Sequence, residues 1–292
     1  MFLRILVGFI LLFCITACSN SYDNRIKISA TTWIGYTPLF YAQEKGWLEP
    51  LNIKLLNITS LAENMYIYQA GNADAYTGTQ YEYSILKKDM RSLQPIMVFD
   101  RSNGGDIIMS NLSLDALQDL DEPIDVYLEM DSINSVLLED FLHNYGLEDK
   151  KIHYINEDQI TIGELKMSKK PTLIVTYIPY NIILEQEGYK EIASTKGSLS
   201  LLVVDAMFTT RETYEEHKEQ FDRLKERVDE AIEALKKDPK EFYKTVNPYL
   251  LEITYEEFIA SLGDVEWINT EMNRELEARL RDASFPLEGL IR

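Results

Sequence analysis

The sequence predicts an α/β protein of two units, each a helix-covered and mostly parallel sheet, followed by a run of C-terminal helices. Three observations predict it. Short apolar stretches of strand character alternate with helical stretches from residue 25 to 111, and alternate again from 123 to 210. Serine, proline and glycine stand where helices must start and stop. After Arg211 the composition turns to charged helix.

The elements follow in order. "RIKISAT" (25–31) is a strand, broken at Gly35, and Pro38 opens the helix "PLFYAQEKGWL", because a proline in the first turn forfeits no hydrogen bond. "LNIKLLNI" (51–58) alternates as a second strand. Ser60 caps the next helix, which stops at Gly71. "ADAYTG" is a short strand or loop, with Tyr76, Thr77 and Thr79 placed at the start of the helix "QYEYSILKKD". "QPIMVFD" (94–100) and "GDIIMSN" (105–111) are buried strands, with residues 100–106 expected to form a loop. In the second unit, "PIDVYLE" (123–129), "KKIHYIN" and "PTLIVTY" (171–177) are strands. The helices are "SINSVLLEDFLHNYGL" (132–147) and "PYNIILEQEG". "SLLVVDAMFTT" (200–210) is a long apolar strand that leads away from this unit. Phe221, Leu224, Val228, Ile232 and Leu235 recur at helical spacing as a packing stripe, and Pro239 divides the helical region.

The first residues carry a separate message. Arg4 precedes an apolar run from Ile5 to Cys14 that is too short to span a bilayer, as in a secretory signal. "ITAC" (15–18) resembles the bacterial lipobox, which implies cleavage after residue 17, a lipid on Cys18 and a polar tether over 18–25. Both cysteines of the chain, Cys14 and Cys18, would then be consumed, leaving no thiol for a disulfide, a metal site or a nucleophile.

Composition narrows the function further. With 48 Asp and Glu against 29 Lys and Arg, the net charge of −19 argues against nucleic-acid binding. His143, His153 and His217 are widely spaced and form no metal-ligand pattern. There is no Gly-rich phosphate loop and no nucleophile–base spacing, so neither a cofactor nor an enzyme activity is expected.

Several motifs in order resemble the nitrate/taurine/sulfonate/thiamine-precursor family of ABC-transporter solute-binding proteins. They are Trp33-Ile-Gly-Tyr36-Thr-Pro-Leu, Gly71-Asn-Ala-Asp74, Asp100-Arg-Ser102-Asn-Gly-Gly-Asp106, and Thr176-Tyr177-Ile-Pro179 followed by Val204-Asp205. The resemblance spans about residues 26–225. It implies a two-lobed, type II periplasmic-binding-protein-like fold with ligand in the cleft. It also implies crossover strands near 108–112 and 200–205, lobe 1 from 26–109 plus 204–292, and lobe 2 from 110–203. The implied partners are a small-molecule ligand, an ABC permease in the inner membrane, and the membrane itself through the lipid; the chain is expected to act as a monomer in the cell envelope. A pyrimidine-synthase enzyme shares the fold, but its cysteine-rich iron motif is missing from this sequence. A lipoprotein that serves a membrane sensor stays open as an alternative.

In open α/β sheets ligands bind beyond the carboxyl ends of the strands. That rule and the resemblance nominate Trp33, Tyr36, Ser60, Thr77, Tyr81, Asp100, Ser102 and Asp106 in the first half. In the second half they nominate Glu129, Ser132, Tyr177 and Asp205. Asp131 or Ser132 is expected to cap its helix, whereas Glu129 at a strand end is harder to assign to a cap. The set is acidic and aromatic. It therefore suits an aromatic, neutral or cationic solute, such as a thiamine-precursor-like pyrimidine or an amine. Nitrate, sulfonate or taurine is the alternative, against which the carboxylates speak.

Overall fold

The structure is a computed structural model and describes residues 24–197, 199, 201–268 and 272–291. The leader, Cys18 and most of the tether lie outside the described residues. Among those described, no helix is long and apolar enough to cross a membrane.

The first half runs β1 (Ile26–Thr31), a 3₁₀ turn (Ile34–Tyr36), α1 (Thr37–Glu44), β2 (Ile53–Ile58), α2 (Leu61–Gln69), β3 (Ala75–Thr79), α3 (Gln80–Leu86) and β4 (Leu93–Ser102). Local chemistry sets these ends. Pro38 lies in the first turn of α1. The Ser60 hydroxyl accepts the Glu63 amide to cap α2, and Thr79 with Glu82 forms a capping box on α3. Thr77 and Thr79 thus belong to a strand, with Thr79 at its end, whereas the sequence analysis had opened a helix there.

The second half runs β5 (Asp106–Ser110), α4 (Leu114–Gln118), β6 (Ile124–Leu128), α5 (Ile133–Asn144), β7 (Ile152–Asn156), α6 (Gln159–Gly163), β8 (Thr172–Tyr177), α7 (Tyr180–Gln186) and β9 (Lys190–Ser194). The chain then returns through β10 (Val204–Thr210), α8 (Arg211–Glu216), α9 (Lys218–Lys237), α10 (Pro239–Val246), α11 (Tyr255–Ser261), β11 (Val265–Trp267) and α12 (Arg274–Asp282).

Two sheets result, and they repeat one topology. Their orders contain β2-β1-β3-β10-β4 and β7-β6-β8-β5-β9, with β11 extending the first beyond β4. In each sheet the first three strands are parallel. The fourth arrives from the other sheet and pairs antiparallel on both sides. Because β5 pairs with β8 and β9, residues 106–109 belong to the second sheet. The first passage between sheets is therefore residues 103–105, not 108–112. The second is residues 195–203, just ahead of β10. Asp100–Ser102 continue β4 instead of opening a loop.

The C-terminal helices return to the first lobe and cover α1. Phe221, Leu224, Val228 and Ile232 are buried in one cluster with Leu39 and Phe40. Phe242 stacks on Tyr41 with ring centroids 4.5 Å apart. Leu224 is fully buried, so Leu224→Ala should cost about 2–5 kcal/mol of stability through lost transfer energy and a residual cavity. Urea unfolding followed by circular dichroism should show the midpoint moving down.

Candidate functional site

The topology aims two kinds of strand end at the gap between the sheets. The carboxyl ends of β1 and β3 meet it from the first lobe and those of β6 and β8 from the second, while β5 and β10 begin there. Register then places the acids. Asp205 on β10 stands opposite Thr79 of β3 on one side and Asp100 of β4 on the other. Asp106 of β5 stands opposite Tyr177 of β8.

A cavity between the lobes is lined by Thr31, Trp33, Tyr36, Leu61, Thr79, Asp106, Ile133, Tyr177, Val203 and Asp205. The lobes are closed on it. Its free space admits the centre of a water-sized sphere over only about 10 Å³, room for about one water. The Trp33 ring meets Tyr177 of the other lobe edge-on, with centroids 5.9 Å apart. The Trp33 indole donates to Asp100 at 3.2 Å, and the Tyr36 hydroxyl donates to Asp205 at 2.5 Å. Gly35 makes this approach possible, since a Cβ there would lie 1.9 Å from Asp100 Oδ2 and 2.3 Å from Trp33 Nε1.

Of the twelve residues nominated from sequence, Trp33, Tyr36, Asp106, Tyr177 and Asp205 line this cavity. Asp100 stands behind it as the acceptor for Trp33. Ser60, Glu129 and Ser132 meet at the rim. Glu129 Oε1 accepts from the Ser60 hydroxyl and from the Ala62 amide at 3.0 Å across the gap. Ser132 caps α5 and donates to the Glu129 carbonyl at 2.7 Å. Thr77 is buried in β3 and Tyr81 sits in the first turn of α3, and neither lines the cavity. Ser102 belongs to the hinge. Its hydroxyl lies 2.8 Å from that of Thr195 and accepts the Asp106 amide at 3.0 Å, which ties the two crossing segments together.

Sequence reasoning passed over Thr31, Ile133 and Val203, which sit at the same strand and helix ends; Leu61 and Thr79 lie in turns it set at the cleft edge without nominating them. It also passed over Glu82 as a site residue. Glu82 is 1% exposed, and its Oε1 accepts the Ile133 amide of the second lobe at 2.8 Å.

The electrostatics are one-sided. Burial drives the Asp100 and Asp205 carboxyls well above their ordinary range, and each acid reinforces a neighbour. Burial pushes Asp106 and Glu129 up to about 7 and raises Glu82 as well. No Lys, Arg or His lines the cavity, and Arg101 pairs with Glu266 at 2.9 Å. His143 and His153 bind Glu148 and Asp125 at the surface. Among the described residues, no group of three or more His, Cys, Asp and Glu is arranged to hold a metal.

Three lining residues carry buried polar atoms without a hydrogen-bond partner: Thr31 Oγ1, Asp106 Oδ2 and Tyr177 OH. Glu129 Oε2 at the rim is in the same condition. Each such group costs about 1–3 kcal/mol when buried alone. Two of the four are carboxylate oxygens, which accept hydrogen bonds from N–H groups.

The raised acids fix the sign of a pH effect. The unfolded chain loses protons from Asp106 and Glu129 near pH 4, while the closed fold keeps them until about pH 7. Their contribution to stability is full below about pH 4 and is lost as pH rises to about 7. The melting temperature of the protein alone should fall between pH 5 and pH 8. In Asp106→Asn the fall should be shallower.

No protein-family model matches the chain, and no curated protein matches it. Solved structures do. The alkanesulfonate-binding protein SsuA from Xanthomonas axonopodis pv. citri, bound to MOPS, superposes with a TM-score of 0.71 at 12% identity, over 89% of this chain and 91% of that one. The ligand-binding component of an ABC-type import system from Staphylococcus aureus, with zinc bound, gives 0.69 at 13% identity over 89% and 91%. The periplasmic nitrate-binding protein NrtA from Synechocystis PCC 6803 gives 0.63 at 13% identity over 86% and 74%. The chain has the two-lobed periplasmic-binding-protein fold that these solved structures share.

Proposed function

We propose that this chain is an extracytoplasmic solute-binding protein that closes on a small aromatic or cationic solute and delivers it to an ABC permease. One observation carries the choice of solute. The cleft holds unpartnered carboxylate oxygens, Asp106 Oδ2 and Glu129 Oε2, with no cationic side chain among the lining residues. A guest with N–H donors and positive charge satisfies those oxygens and can lie against the faces of Trp33, Tyr36 and Tyr177. An aminopyrimidine of the thiamine-precursor type or an alkylamine has this chemistry. The closed void is too small for either, so capture uses the open form and ends in hinge closure about residues 103–105 and 195–203.

The oxyanion reading draws on neighbours named as an alkanesulfonate-binding protein, bound to MOPS, and a nitrate-binding protein. Here an oxyanion would face Asp106 and Asp205 directly; it requires both to stay protonated, and repulsion disfavours it wherever either ionises. Cys18 is the lipid attachment point in this proposal, and it holds the receptor at the membrane beside its permease.

Titration calorimetry with an aminopyrimidine, putrescine, taurine and nitrate tests the solute class. Binding by either of the first two, weakened about tenfold or more in Asp106→Asn, is the expected result for a charge-assisted contact. Binding of taurine or nitrate alone would overturn it. Cys18→Ala should move the protein from the membrane to the soluble fraction, as fractionation and immunoblotting would show.

A further inference from the structure

Two helices point their first turns into the gap from opposite lobes, and each is met by a carboxylate from the other lobe. α2, of nine residues, opens at Ser60 in the first lobe. Glu129, which follows β6 in the second lobe, accepts there from the Ser60 hydroxyl and the Ala62 amide. α5, of twelve residues, opens at Ser132 in the second lobe. Glu82 of the first lobe accepts the Ile133 amide there at 2.8 Å. The second oxygen of Glu82 accepts from the Thr79 amide at 2.8 Å and the Thr79 hydroxyl at 2.5 Å. The exchange is reciprocal, and both carboxylates are almost fully buried, Glu82 at 1% and Glu129 at 3% exposure.

A helix N-terminus presents free amides and a positive dipole end, and it is a ready seat for an anion. The first turns of α2 and α5 are the two such seats that these contacts show at the cleft, and both are taken. Glu129 also keeps one oxygen, Oε2, buried and without a partner. That oxygen adds a negative edge to the occupied seat. The contact on Ile133 lies directly against the cavity, because Ile133 is one of its lining residues.

We propose that Glu82 and Glu129 are specificity-determining residues: built-in carboxylates that fill the two helix N-termini of the cleft and deny them to oxyanionic solutes. The proposal rests on the cleft being the ligand site, as argued above. Two consequences follow from the geometry. Removing the Glu82 side chain leaves the Thr79 amide, the Thr79 hydroxyl and the Ile133 amide converging on a space of carboxylate size. The closed form also has cross-lobe hydrogen bonds of its own, which a solute supplements and does not have to create.

The test uses Glu82→Ala and Glu129→Ala in the full chain, with acetate and taurine as probes and chloride at equal ionic strength as the control. Wild type should show neither heat nor thermal shift with the two probes. Each variant should melt lower in chloride, recover in acetate, and bind acetate or taurine at least about tenfold more tightly than wild type, the scale of a helix-terminus contact. If Glu82→Ala does not fold, Glu129→Ala carries the same measurement. A folded variant that melts and titrates identically in acetate and chloride overturns the proposal, as does a wild type that binds either probe as tightly as the variants. Putrescine and an aminopyrimidine titrated into wild type separate the two readings. Failure of both to bind, with acetate rescue intact in the variants, overturns the solute class proposed above and supports the plugs.

Discussion

Five carboxyl groups are buried where the two lobes meet: Glu82, Asp100, Asp106, Glu129 and Asp205. The topology leaves little choice in this. Each sheet receives one strand from the other half, that strand starts at the gap, and Asp106 and Asp205 are the first residues or nearly so of those two strands. Register then sets Asp205 beside Asp100. An uncompensated buried charge costs several kcal/mol after relaxation, so each acid must be neutral or well supplied with donors. The surroundings follow that demand. Trp33, Tyr36, Ser60, Thr79 and two helix N-termini spend donors on four of these groups, Asp100, Asp205, Glu129 and Glu82.

The same demand couples the cleft to the hinge. Asp106 is the first residue after the passage 103–105, and its amide is held by Ser102, whose hydroxyl also meets Thr195 on the returning passage. The Gly104 amide donates to Thr195 at 2.9 Å, and Gly105 leaves room for the Trp33 ring, which a Cβ would meet at 2.5 Å. A change in the angle between lobes therefore moves Asp106 and Tyr177 relative to Asp205, Trp33 and Tyr36. Opening also withdraws Glu82 from Ile133 and Glu129 from Ala62, returning both carboxylates toward water. The conformational equilibrium and the ionisation of the acids are linked through the same contacts.

The fold was legible in the sequence because its signals are local. Pro38, Ser60, the Thr79–Glu82 pair and Pro239 each mark a helix end by a mechanism that acts within a few residues. What stayed hidden depends on distant partners. Asp106–Ser110 is buried throughout, and a strand buried on both faces reads alike in either sheet; only its pairing with β8 and β9 assigns it. The short elements α4, α6, β9 and β11 have too few periodic positions to stand out, and β9 is exposed at its start. The site divides the same way. Trp33, Tyr36 and Asp205 were readable from strand ends that need no partner information. Thr77 was placed at the start of a helix and Tyr81 just inside it; β3 holds the first and α3 the second. Glu82 satisfies a local capping box, a complete explanation within its own helix, and nothing in that motif reveals that its other oxygen serves the opposite lobe. Glu129 resisted assignment to its own helix because the helix it caps is more than sixty residues away in sequence.

A buried carboxyl can be neutralised in two ways, by a proton or by a neighbouring cation, and the two exclude each other at one oxygen. In the closed cleft, burial keeps protons on Asp106 and Glu129 up to about pH 7. A guest bearing N–H⁺ replaces those protons with its own charge and gives Asp106 Oδ2 and Glu129 Oε2 the partners they lack. Near neutral pH the exchange is almost balanced, because carboxyls that titrate at about 7 release their protons at little cost. A cationic solute thus meets a cleft already shaped around neutral acids and needs only to convert them to ions. An oxyanion meets the opposite situation: the acids must stay protonated to tolerate it, and the two helix ends that would welcome it already hold Glu82 and Glu129. Selection by charge in this cleft follows from which group reaches each donor first, and the chain's own carboxylates are there before any solute arrives.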